Sequence, residues 1–95
     1  MERTEQEEID LLNTAVDKFA AAMKAKLTEC AKQGKRGWDA RNLQGHILAE
    51  LLNDAYALYD EYPGSDLRAV DVANRAMMVW YVHQGMTMPR EVDNG

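Results

Sequence analysis

A single cysteine, Cys30, is too few for an intrachain disulfide or a cysteine-based zinc cluster. Its expected state is a buried thiol, since free cysteine packs like a small apolar side chain. Prolines are equally scarce. Pro63 and Pro89 both lie outside the long periodic segments, so nothing in those segments breaks a helix. Runs of β-branched residues are few, which weighs against strands. No apolar run approaches ~18 residues, so no membrane span is expected. Basic charge is also short. The net charge is -5, and an acidic surface repels phosphate, so a general nucleic-acid binder is disfavoured. The segment from Met1 to Glu8 is too acidic and polar for a secretory signal, so a cytoplasmic location is expected.

What the chain does have is helical periodicity over 95 residues, enough for one domain. Ile9, Leu12, Val16, Phe19, Met23, Leu27 and Cys30 alternate in steps of three and four, so a first helix is predicted from about Glu5 to Cys30. Glu7, Glu8 and Asp10 suit the positive end of its dipole, and Lys24 and Lys26 suit the other end. Gly34 and Gly37 then stop it. A second helix should begin near Asp39 or Asn42, either of which can cap it. It carries Leu43, Ile47, Leu48, Leu51, Leu52, Ala55, Leu58, Tyr59 and Tyr62 as a wide stripe and ends at Pro63-Gly64. Ser65 should cap a third helix from Asp66 to about Gln84.

The third helix is apolar around most of its circumference. Leu67, Val70, Ala73, Met77 and Trp80 lie on one side; Val72, Ala76, Val79 and His83 lie on another. Such a helix is central in a bundle or trapped at an interface. The expectation is an all-α bundle of three main helices, as one domain over residues 1–84, dimerising into a larger bundle. Residues 85–95 read as a flexible tail.

Several signals remain open between packing and chemistry. Lys32, Lys35, Arg36 and Arg41, with Trp38 between them, can hold phosphates and stack a base, or Trp38 can simply anchor the loop. Tyr56, Tyr59 and Tyr62 read as core or interface packing. His46 and His83 lack ligand spacing and read as surface or part-buried side chains. Met77, Met78, Met86 and Met88 suit an adaptable protein-binding surface, with Met77 in the core.

The most informative stretch is Asp71-Val72-Ala73-Asn74-Arg75-Ala76-Met77-Met78. It places Asp71 and Asn74 one turn apart in apolar surroundings. A carboxylate there needs a counter-charge: either a metal ion, or the arginines Arg68 and Arg75. With Phe19 to Leu27, Lys35-Arg36-Gly37-Trp38 and Leu48 to Leu58, this stretch resembles phage MazG-like proteins of the all-α nucleoside triphosphate pyrophosphatase superfamily. The resemblance covers roughly residues 16 to 84. It implies Mg²⁺-dependent cleavage between the α- and β-phosphates of a nucleotide. A Glu-Glu-x-x-Glu motif on one helix and Glu-x-x-Asp on the next would hold the metal.

The motifs are degenerate. The first falls on Ala49-Glu50-Leu51-Leu52-Asn53 and keeps Glu50 alone; the second falls on Arg68-Ala69-Val70-Asp71 and keeps Asp71. Arg68 replaces a ligand with a positive charge. Arg68, Asp71 and Arg75 are spaced to form an ion-pair network on one face. The resulting expectation is a catalytically impaired MazG-like protein with no required cofactor. It would act by binding a nucleotide, or a host or phage protein such as a defence component, as an inhibitor or sensor. Lys35, Arg36, Trp38 and Asn74 are the nucleotide candidates, although Asn74 can equally be a core amide. The alternative is an active Mg²⁺-dependent pyrophosphohydrolase, with Glu50, Asp54 and Asp71 on the metal.

Overall fold

A computed structural model describes residues 2–64 and 66–85. It is all-helical, with three helices: α1 (Glu5–Lys32), α2 (Gln44–Glu61) and α3 (Leu67–His83). The predicted Ser65 cap, Met86, Met88 and most of the predicted tail fall outside the described residues.

The start of α1 is built by a capping box. Thr4 Oγ1 accepts from the Glu7 amide at 3.1 Å, and the Glu7 carboxylate accepts from the Thr4 amide at 2.9 Å. Two amides that the helix cannot satisfy internally are thereby paired. The other end runs to Lys32, one half-turn beyond Cys30. There Gly34 takes φ +90, and the Lys35 amide donates back to the Cys30 carbonyl at 3.1 Å. A side chain at Gly34 would be strained by that dihedral.

Between α1 and α2, neither Asp39 nor Asn42 caps the second helix. A 3-10 turn (Arg41–Leu43) comes first, and Leu43 stands at the cap position without a side-chain bond. The Gln44 amide does the pinning instead. Its Nε2 donates to the carbonyls of Trp38 at 3.0 Å and Ala40 at 2.9 Å. Asp39 is buried in this loop rather than exposed at a helix start.

α2 and α3 form an antiparallel pair, tied by ion pairs that join Glu50 and Asp54 to Arg75, and Asp54 and Glu61 to Arg68. α3 packs against both α2 and α1. The helix that is apolar all round therefore occupies the middle, as its composition demands.

The core itself is small. Among the described residues, the buried apolar side chains are Ile47 and Val70, while Asp39, Asp54 and Asn74 are buried polar ones. The α1 stripe is not core along its length. Met23, Leu27 and Cys30 are half-buried, but every residue from Ile9 to Phe19 is exposed. Cys30 is thus half-buried, not interior as expected. Tyr56, Tyr59 and Tyr62 are exposed as well, so core packing is not their role within one chain. The reason is geometric. α1 is about 42 Å long at 1.5 Å per residue, whereas α2 and α3 are shorter and meet only its C-terminal half.

Candidate functional site

That C-terminal half of α1, the loop after it and the facing sides of α2 and α3 line a half-open cavity of about 800 Å³. The volume is in the range of small-molecule sites. The turn at Gly34 swings Lys35 and Arg36 onto its wall, where Lys26 of α1 joins them. Gly37, with φ +85, reverses the chain again so that Trp38 turns inward and lines the same cavity. Trp38 is half-buried and packs on Tyr81 of α3, ring centroids 5.4 Å apart at 60°. It therefore both anchors the loop and presents an aromatic surface. Met77 and Met78 add apolar wall.

Asn74 lies in this cavity at 4% exposure. Its Nδ2 donates to the Met23 carbonyl at 3.4 Å, a long bond that ties α3 to α1. Its Oδ1 is buried and accepts from no group among the described residues. A buried acceptor left unpaired is costly, of order 1–3 kcal/mol, so a donor on a ligand would be favoured there. Lys35, Arg36 and Trp38 of the loop thus share one cavity with Asn74, which is far from them in sequence. Lys32 and Arg41 do not line it.

One side of the cavity is acidic and is dominated by Arg75. Its Nη1 donates to Glu50 Oε1 at 2.6 Å and its Nε to Asp54 Oδ2 at 2.7 Å. Burial opposes the Arg75 charge, but the hydrogen bond to Asp54 and the charges of Glu50, Asp54 and Asp71 more than offset it and raise its pKa. The guanidinium therefore stays cationic at any pH where the protein is folded. Arg68 is more loosely held, at 3.5 Å from Asp54 and 3.5 Å from Glu61. His46 Nε2 lies 3.3 Å from Glu50 Oε2 at the exposed edge.

The network differs from the one read in the sequence. Arg68 and Arg75 share a face of α3 with Asp71, yet their partners within 4 Å are Glu50, Asp54 and Glu61 of α2; Asp71 is not among them. Asp54 explains the preference. Its side chain is only 12% exposed, so without the arginines it would be a buried uncompensated charge. Intrahelical spacing allowed the Asp71 pairing, but the position of Asp54 depends on how α2 meets α3, which spacing does not encode. Tyr81 and Gln44 were likewise missed. Gln44 carries no sequence signal, whereas Thr4-x-x-Glu7 before an apolar stripe was a readable one.

The fit of a divalent cation can be judged from the donors. Mg²⁺ needs several free oxygens in near-octahedral geometry. Here Glu50 and Asp54 are hydrogen-bonded to one guanidinium, and among the described residues no group of three or more His, Cys, Asp or Glu is arranged to hold a metal. These residues do not fit the ion. No family model, curated protein sequence or solved structure matches the chain. No described helix is long and apolar enough to cross a membrane.

Proposed function

We propose that this chain is a MazG-like protein, of the phage type, that binds a nucleoside phosphate without hydrolysing it through a metal. The observation that carries the reading is Arg75 seated between Glu50 and Asp54, at 2.6 and 2.7 Å. A guanidinium there repels a divalent cation and supplies no Lewis acid or activated water. The rest of the cavity still suits the ligand. Lys26, Lys35 and Arg36 offer donors for phosphate oxygens, Trp38 offers a face for a base, and Asn74 Oδ1 offers an acceptor for an amino or hydroxyl group. The work is done as a homodimer in the cytoplasm, that of the host if the chain is phage-encoded.

A second reading, capture of a host or phage protein as an inhibitor, is favoured by the uncovered side of α2. Leu48, Leu52, Tyr56 and Tyr59 are all exposed along it.

The test is thermal unfolding with a panel of nucleoside triphosphates, with EDTA and with Mg²⁺. Ligand at ten times Kd raises Tm by roughly 5–10 °C, equally with and without metal. Asn74→Leu abolishes most of that rise. Release of pyrophosphate with Mg²⁺ or Mn²⁺, lost in Asp71→Ala, would establish the active enzyme instead. Absence of any shift would leave the protein-capture reading.

A further inference from the structure

The N-terminal half of α1 is an amphipathic helix with nothing among the described residues on its apolar side. Ile9, Leu12, Val16 and Phe19 are 42%, 55%, 62% and 38% exposed, and they continue the stripe of Met23 and Leu27, which α3 leaves half-exposed. Helices shorter than about 12–15 residues are marginal in water on their own. A projecting segment of that size therefore gains most of its stability from whatever covers the stripe.

The charge along α1 specifies the cover. From Glu5 to Asp17 every charged residue is acidic: Glu5, Glu7, Glu8, Asp10 and Asp17. From Lys18 to Lys32 the charges are Lys18, Lys24, Lys26 and Lys32, with Glu29 the one acid. A second α1 laid parallel would set acid against acid. Laid antiparallel, it sets acid against base, and the two helix dipoles also oppose favourably.

The flanks of the stripe agree. Glu8 and Lys26 are about five turns apart at 3.6 residues per turn, so they lie on the same flank. In an antiparallel pair, like flanks of the two copies meet.

Resting on the homodimer reading above, we infer that two copies associate through antiparallel α1 helices, with the two-fold axis between Val16 and Phe19. Val16 then packs on Phe19 of the partner subunit, and Leu12 on Met23 of the partner subunit. Glu8 meets Lys26 of the partner subunit. The contact is isologous and closes on itself. It also brings the first turns of each α1 beside Lys26 and Leu27, which line the other copy's cavity.

The test is sedimentation equilibrium and disulfide trapping on the full chain in a Cys30→Ser background. A dimer mass is expected at micromolar concentration, and Val16→Asp yields a monomer that keeps α2 and α3 helical by circular dichroism. Mixing Leu12→Cys with Met23→Cys gives a mixed disulfide dimer on mild oxidation, while Leu12→Cys alone does not cross-link. Glu8→Lys weakens association about tenfold, and adding Lys26→Glu restores it. A monomer at all concentrations overturns the homodimer reading itself and leaves the stripe to another protein. A dimer that ignores Val16→Asp, or in which Leu12→Cys links to itself, overturns this interface while leaving homodimerisation intact.

Discussion

Two arginines on one helix face hold the same Asp54 carboxylate, but not equally. Arg75 donates at 2.6 and 2.7 Å and its side chain is 31% exposed; Arg68 stands 3.5 Å from each partner at 40% exposure. Short charge-assisted bonds to a largely buried acid contribute more than long ones screened by water. Arg75→Met should therefore lower stability by roughly 1–3 kcal/mol, whereas Arg68→Met should cost less than about 1 kcal/mol. Urea denaturation midpoints at neutral pH would compare them. Equal losses would mean that Asp54 leans on both arginines alike, against the distances. The raised Arg75 pKa adds a sign: protonation-linked stability from this group is complete below the ordinary arginine value and is lost only when pH climbs past its folded one. No titration of Arg75 thus falls near neutrality.

At the scale of elements, α1 is two helices in one. Its C-terminal half is held by α3, through contacts such as Asn74 to the Met23 carbonyl. Its N-terminal half within a single chain is held by local devices: the Thr4–Glu7 capping box and acids in the first turn. Thr4→Ala removes the cap and should cost about 1 kcal/mol. Hydrogen exchange locates the loss. Amides of Glu5 to Asp10 should exchange faster, while those of α3 around Val70 and Asn74 should not change. Spread of the effect into α3 would show that the halves are coupled more tightly than their contacts indicate. The helices themselves were readable in the sequence, because steps of three and four between apolar residues specify a helical face whatever covers it. The start of α2 was not. Asp39 and Asn42 are good caps in principle, but Gln44 reaching back to Trp38 and Ala40 stabilises a 3-10 turn first.

For the whole molecule, a chain whose buried apolar side chains among the described residues are Ile47 and Val70 has little core to oppose conformational entropy. In the proposed homodimer, association would make up the difference, and mass action would link stability to concentration. Tm should rise by several degrees when protein concentration is raised a hundredfold, as differential scanning calorimetry would record. A concentration-independent Tm would mean that one copy is stable alone. Three apolar stripes in a chain of 95 residues made an all-helical bundle legible in advance, and the surplus of apolar surface with it. Which helix would carry that surplus was not legible. The third helix looked richest, yet its central place leaves α1 and the outer side of α2 uncovered.

Sequence alone determined the three helices, their approximate ends and the basic loop with its tryptophan. These depend on residue type and on spacing within a few turns. Tertiary structure decided that Asp54 is the carboxylate shared by both arginines and that Asn74, Trp38, Lys35 and Arg36 line one cavity. Those facts depend on how α2 and α3 are rotated against each other. Helical periodicity sets which residues share a face, but only packing sets what that face meets.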